Sequence, residues 1–353
     1  MRLAVRAETL LERIGLWMHL VPEPLFETHI GATLARAIMA GVELALFEEL
    51  EAQPLGALDV ADRCATDPRA TLLLLDALVG SGYLVLADEK YALAFKSRKW
   101  LLRSSPSSVR DKILLQAIEW EWLTHLEGFV RTGCPLDFHS TMSECELDLY
   151  HRSMRAIAGI AGSEVGWRTP VPRNATRMLD LGGSHGHFAA AIWRNHPDLM
   201  ADVLDLPEAV RHAAPLLAKE NLSDRVVHVV GNALQSDLGV EKYDLILMSN
   251  LAHHLTEVQN MELAIRIARA LRGGGVFVVQ DAVRAARPNR AGQTGTLLGL
   301  YFALQSGINV ASWTTDDMRR WQKAAGLALR HPCKLMTAPG WVQQTASKAL
   351  VPP

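Results

Sequence analysis

The sequence predicts an α/β protein: a parallel sheet covered by helices on both faces, preceded by an α-rich unit. Three observations carry this. From Arg177 onward, apolar runs of strand length alternate with helix-length amphipathic segments. The first of these strands enters a glycine-rich turn, Gly182-Gly183-Ser184-His185-Gly186, which opens a helix. The first hundred residues read instead as helices followed by a hairpin.

The elements follow in order. Apolar residues recur at helical spacing through Ala32–Leu50 and again through Ala70–Gly80. Pro54-Leu55-Gly56 is a turn before a short helix at Ala57–Arg63. Thr66-Asp67-Pro68 starts the next helix, with a capping residue just ahead of proline. Two strands, Tyr83–Ala87 and Tyr91–Phe95, flank a turn at Asp88-Glu89-Lys90. Three helices and a hairpin make the winged-helix pattern. Leu101–Arg110 is a polar connection. Helices are expected over Asp111–Thr132, ended by Gly133-Cys134-Pro135, and over Glu146–Val165; Arg168–Asn174, with two prolines, is a linker. Five parallel strands are then expected at Arg177–Leu181, Ala201–Leu204, Val226–Val230, Tyr243–Met248 and Val276–Gln280. Helices fall between them at Phe188–Asn195, Glu208–Glu220 and Thr256–Leu271, with Gly273-Gly274-Gly275 as a sharp stop to the last. The expected domains are residues 1–110, 111–172 and 173–353.

Composition narrows the function. The 353 residues allow two or three domains and a large core. A net charge of -2 carries no basic bias and argues against a nucleic-acid partner. Cys64, Cys134, Cys145 and Cys333 are far apart and form no CxxC pair or zinc spacing, so free thiols in a reducing compartment are expected, and no metal site. Charges at Arg6, Glu8, Glu12 and Arg13 interrupt the N-terminal apolar residues, and no uncharged run approaches the ~20 residues of a membrane span. A cytoplasmic protein without a membrane partner is expected.

Ligands of open parallel sheets bind beyond the carboxyl ends of the strands. Gly182, Gly183 and Gly186 let the backbone approach a ligand closely there. Asp205 ends the second strand, about twenty-five positions after Asp180, where a carboxylate can accept hydrogen bonds from a ribose diol. Gly231-Asn232-Ala233 follows the third strand and offers an amide to an adenine edge. Each feature alone fits an ordinary loop; together they point to a nucleoside-bearing cofactor. Ser249-Asn250-Leu251-Ala252-His253-His254 follows the fourth strand, and Asp281 the fifth. Neighbouring strands lie ~4.8 Å apart, which puts His253 within reach of Asp281. A carboxylate on one imidazole nitrogen leaves the other as a base.

These residues resemble the class I S-adenosylmethionine-dependent O-methyltransferases of the caffeate and acetylserotonin type, especially their bacterial natural-product branch. The resemblance spans nearly the whole chain: Leu179-Asp180-Leu181-Gly182-Gly183-Ser184-His185-Gly186, Asp205-Leu206-Pro207, Ala252-His253-His254-Leu255, Ala270-Leu271-Arg272-Gly273-Gly274-Gly275, and Thr314-Thr315-Asp316-Asp317-Met318 followed by Ala325-Gly326-Leu327. It implies a Rossmann-like seven-stranded class I methyltransferase domain behind a winged-helix dimerisation domain, hence a homodimer. It implies S-adenosylmethionine as cofactor, held by Asp180, Gly182, Gly183, Gly186, Asp205, Leu206, Asn232, Ala233 and Ser249. His253 is the implied general base and Asp281 its orienting acid. The chain departs from the family where Asn232 replaces an Asp, Ser249 a Lys and His254 an Asp, and where Ser312-Trp313-Thr314 stands in place of a second acid.

The implied reaction is methyl transfer to a hydroxyl, probed as a phenol, of a small natural-product-like acceptor. Trp120, Trp122, Phe129, Met154, Phe302 and Trp313 are candidates to line an apolar acceptor pocket, although such residues at helical spacing are more often core. Two other readings stay open. One is a cofactor-using enzyme that does not methylate, or that methylates nitrogen or carbon. The other is a winged-helix regulator with Thr66–Gly80 as recognition helix, though Asp67 and Asp76 against Arg69 leave that helix little positive charge for phosphates.

Overall fold

The computed structural model describes residues 4–137, 141–310 and 312–350, so the outermost ends of the expected domains, 1–3 and 351–353, lie outside the described residues. The chain divides into two compact units, one ending at Glu119 and the other running on from Trp120.

The first unit is helical with a two-stranded antiparallel sheet, β1 (Leu84–Ala87) and β2 (Lys90–Leu93). The helices Ala57–Arg63 and Pro68–Gly80 form where the punctuation placed them. Asp67 caps the second by accepting from the amides of Arg69 and Ala70. The long helix expected over Ala32–Leu50 is in fact two, Gly31–Glu43 and Leu46–Glu49, hinged at Ala45 with φ 56°. Periodicity alone cannot see this break, because Leu46 and Phe47 are as deeply buried after the hinge as Val42 before it. Gly41 makes room for the returning Phe47, whose ring lies 2.9 Å from where a Cβ would sit. The second strand also ends early. Ala94 is a helix N-cap, and Phe95, expected to close the strand, starts the helix Phe95–Trp100 and is exposed.

The expected helix over Asp111–Thr132 is broken into Arg110–Leu123, which runs across the division between the units, and Leu126–Thr132. Thr124 causes the break locally: its hydroxyl donates to the Glu121 carbonyl, competing with the helical ladder. The next helix, Glu144–Arg168, is longer than expected at both ends. A capping box between Ser143 and Glu146 starts it, and it ends at Arg168, the first residue of the expected linker.

The sheet contains β3 (Arg177–Leu181), β4 (Met200–Asp205), β5 (Val226–Val230), β6 (Tyr243–Ser249), β7 (Leu271–Ala282), β8 (Ala328–Leu329), β9 (Cys333–Lys334) and β10 (Trp341–Ser347). Their order is β5-β4-β3-β6-β7-β10-β8, with β9 also paired to β10. The first five are parallel and β10 is antiparallel. Chain order therefore reverses between β3 and β6, the switch point at which such sheets bind ligands. Eight strands replace the expected seven because the outermost position is split. β8 pairs with Ala346 and Ser347, β9 with Val342 and Gln343, and the intervening Pro332 has no amide to donate to a ladder.

Gly273–Gly275 do not stop the preceding helix, which ends at Ala270. They lie inside β7, where the register jumps from Tyr243↔Leu271 to Leu245↔Val276. The extra β7 residues form a bulge that requires Gly274 at φ 77° and Gly275 against the Arg272 carbonyl. Along β3 successive side chains alternate between two cores. Met178 joins Val203, Leu245 and Val278 under the helices Glu144–Arg168 and His187–Asn195. Leu179 and Leu181 join Ile246, Phe277 and Trp321 on the other face, under Glu257–Ala270 and Thr315–Ala324. Each such buried aliphatic side chain contributes about 1.5–3 kcal/mol, which holds the strand ends rigid beneath the site.

Candidate functional site

The turn after β3 is shaped by its glycines. Gly182 and Gly186 have φ 67° and 66°. Gly183 has no room for a side chain: a Cβ would lie 2.6 Å from the Asp180 carboxyl carbon and 2.8 Å from Val203. Gly182 donates to the Leu204 carbonyl at 2.8 Å, tying the turn to the end of β4. Ser184, at φ 43°, is held from three directions. Its amide donates to Asp205 Oδ2 (2.7 Å), its carbonyl accepts from His228 Nε2 (2.7 Å), and its hydroxyl lies 2.9 Å from His151 Nδ1. Sequence reasoning missed His151 and His228, since nothing in their local sequence marks them.

Charge around this turn is unusual. Asp180 is fully buried, and neither carboxylate oxygen makes a well-formed hydrogen bond. Burial, then the nearby Asp205 charge, pushes its carboxyl up to about 7. Burial also raises Asp205, against the amides of Leu206 and Ser184, which favour its charged form. Burial lowers His187 to about 4 and His185 well below the usual imidazole range, so both are neutral near pH 7. Two carboxyls without a compensating cation beneath a glycine cradle suit a positively charged ligand.

Asn232 turns its amide oxygen inward, accepting from the Leu234 amide at 2.8 Å. Ala233 accepts from Arg266 Nη1 through its carbonyl and packs on the neighbouring core, while Leu206 is exposed beside Asp205. Ser249 is buried, and its hydroxyl accepts from Gln280 Nε2 (2.9 Å). Gln280 in turn accepts from Gln343, which also donates to Thr169. This chain of buried amides crosses β6, β7 and β10 and stiffens the strand ends.

After β6 comes a 3-10 turn, Ala252–His254. His253 and Asp281 are both buried and in contact. Nδ1 lies 2.8 and 3.0 Å from the two Asp281 oxygens, and the His253 amide donates to Oδ2 at 3.2 Å. An ionised carboxylate accepts the Nδ1 proton and leaves the lone pair on Nε2, which has no hydrogen-bond partner among the described residues. Asn260, also missed from sequence, clamps the turn: its NH2 donates to the carbonyls of Ala252, Leu255 and Thr256. Leu251 rests on Gly182, 3.2 Å from where a Cβ would sit, which joins this turn to the glycine turn.

Of the acceptor-pocket candidates, Phe302 and Trp313 meet the His253 turn. Phe302 stacks on the His253 ring, centroids 4.1 Å apart and planes 10° apart. Trp313 donates its indole N–H to the Ala252 carbonyl (2.8 Å) and packs edge-on against Trp321. It thus braces the turn from behind. Trp120, Trp122 and Met154 are half-buried on their helices, and Phe129 is buried. Among the described residues no cluster of three or more His, Cys, Asp or Glu is placed to hold a metal ion, and no helix is long and apolar enough to cross a membrane.

Known proteins share this architecture. Residues 131–327 match the family model of the O-methyltransferase domain. Acetylserotonin O-methyltransferase of Rattus norvegicus is 28% identical over 86% of this chain and 72% of its own length. The tetracenomycin polyketide synthesis 8-O-methyl transferase TcmO of Streptomyces glaucescens is 27% identical over 83% of this chain and 87% of its own. Among solved structures, human N-acetylserotonin methyltransferase in complex with SAM superposes with a TM-score of 0.79 at 20% identity, covering 98% of this chain and 99% of that one. The mitomycin 7-O-methyltransferase MmcR gives 0.75 at 22%, covering 96% and 100%.

Proposed function

Since the chain belongs to the O-methyltransferase family, we propose that it methylates a phenolic hydroxyl of a small natural-product-like acceptor, with His253 as general base and Asp281 as the acid that orients it. The observation carrying this reading is the His253 Nδ1–Asp281 contact at the mouth of the sheet, two residues beyond the Leu251 that rests on the glycine turn. The cofactor is S-adenosylmethionine, which supplies a methyl group activated on a sulfonium. The residues present fit it. Gly182, Gly183 and Gly186 leave a cradle that side chains would fill, and the buried Asp180 carboxyl suits a cationic ligand. Asp205 takes the ribose hydroxyls and Asn232 the adenine, with Leu206 and Ala233 flanking them.

The chain's own work is placement and proton removal. Holding donor and acceptor in line supplies much of the rate. A phenol with an ordinary pKa of ~10 is protonated at neutral pH. His253 Nε2 takes that proton while Asp281 holds Nδ1, and the imidazolium later releases it to solvent. Incubating the full chain with S-adenosylmethionine and a panel of phenols, amines and polyketides tests the reading by mass spectrometry. A gain of ~14 Da on a phenol is the expected result, one methyl replacing one hydrogen on an oxygen prepared as a nucleophile. Methylation of amines alone, or cofactor turnover without methylation, would sink it.

The same reading extends to assembly and location. The N-terminal helix Leu10–Trp17 buries no residue, and Leu10, Leu11 and Trp17 are 72%, 80% and 80% exposed. An apolar surface of this kind supports a homodimer formed through the first, winged-helix unit. Light scattering at micromolar concentration checks it, and a monomer there would remove it. The four unpaired cysteines support a cytoplasmic location.

A further inference from the structure

His253 is held at one edge and on one face. Asp281, from β7, engages Nδ1 at 2.8 Å. No second carboxylate forms an ion pair with the ring among the described residues. The His254 ring, from the same turn, lies 4.2 Å away and tilted by 42°. One face of the imidazole is covered by Phe302 from the helix Gln293–Ser306, nearly parallel at 10° and 4.1 Å between centroids. Asp281, His254 and Phe302 are thus the titratable and aromatic groups that meet this ring among the described residues.

The geometry matters because His253 changes charge in the reaction. When it takes the acceptor's proton it becomes an imidazolium, buried to within 6% of full exclusion from solvent. Burial opposes that charge. A cation over the face of an aromatic ring is attracted by the ring's negative quadrupole, more strongly when desolvated than when exposed. A neutral imidazole gains much less. The stack therefore favours the product of proton transfer over the reactant, which is what a catalytic interaction must do.

We propose that Phe302 is a positioning residue for the general base: its π face stabilises the imidazolium formed on His253 and fixes the ring plane so that Nε2 points to the acceptor. This assigns Phe302 a task distinct from lining an acceptor pocket. It rests on His253 being the base, and its test is separable from that reading.

The test is an NMR titration of the His253 ring in the full chain saturated with S-adenosylhomocysteine, comparing wild type with Phe302→Leu, Phe302→Trp and a chain carrying 3,4,5-trifluorophenylalanine at position 302. The fluorinated ring keeps the shape of phenylalanine and loses most of the negative potential of its face. The midpoint should move to lower pH by roughly one to one and a half units in Phe302→Leu and in the fluorinated chain, the size of a desolvated cation–π contact. It should stay within about 0.2 unit of wild type in Phe302→Trp. An unmoved midpoint in the fluorinated chain would overturn the proposal, because the ring would then act only by filling space. Should Phe302→Leu fail to fold, the near-isosteric fluorinated chain still decides. The base assignment stands or falls separately on the turnover of His253→Ala, which this titration does not measure.

Discussion

The turn Gly182–Gly186 and the turn Ala252–His254 stand at the ends of adjacent strands, β3 and β6, yet they are held by different means. The first is a backbone object. Two glycines at positive φ and a third without room for a Cβ define it, and the side chains around it chiefly serve to anchor Ser184. The second is a side-chain object. Its position comes from Asn260, Trp313 and Asp281, contributed by three other segments of the chain, and its ring is aligned by Phe302. A conserved cofactor shape can be met by a short stretch of backbone, whereas a base must be oriented and charged by distant partners.

Substitutions can separate the two turns. The largest effect is expected from His253→Ala, which should lower turnover by about 10²–10⁴-fold, the usual contribution of a positioned base. Its affinity for S-adenosylmethionine, measured by calorimetry, should match wild type; a loss of binding instead of turnover would show that the two turns are not separate. Gly183→Ala attacks the other side. Its methyl would press on Asp180 and Val203, an overpacking of about 1–3 kcal/mol. Cofactor affinity should fall by roughly 5–150-fold for that energy. Unchanged binding would mean that the cofactor does not use this turn. Asp205→Asn keeps the shape but removes the charge that accepts from the Ser184 amide. Roughly 10- to 150-fold weaker cofactor binding is expected, the equivalent of the ~1.5–3 kcal/mol of a charged hydrogen bond. An unaltered dissociation constant would remove Asp205 from the site.

The smallest effect concerns pH. The folded chain pushes the Asp180 carboxyl up to about 7, from an ordinary value near 4. A raised acid is easier to keep neutral in the folded state, so its ionisation weakens the fold as pH climbs from about 4 and the cost is complete above about 7. Asp180→Asn cannot ionise. In cofactor-free protein, its melting temperature relative to wild type should therefore rise between pH 5 and pH 8, by a few °C. A difference that is flat with pH would mean that Asp180 is not strained by burial.

The glycine turn and the carboxylate ending β4 were legible because each is a short sequence feature with a local cause. The His253–Asp281 pair was legible by one added step, that consecutive parallel strands lie side by side, and β6 and β7 do. Other features were hidden from local pattern. Ala45 breaks a helix that is apolar on both sides of the hinge, and Gly273–Gly275 form a bulge within β7 where a helix stop reads equally well. Ser249 is engaged by Gln280 inside the sheet, a contact that no spacing along the chain encodes.

By itself, then, the sequence determined the alternation that builds the sheet, the backbone shape of the turn after β3, and the residue types at the strand ends. Those depend on φ preferences and on periodicity, which act over a few residues. The tertiary structure decided what surrounds them: His151 and His228 on Ser184, Asn260 under the His253 turn, and Phe302 against the imidazole. Phe302 lies forty-nine positions from His253 in the chain. Only the packing of their helix and turn brings the two rings together.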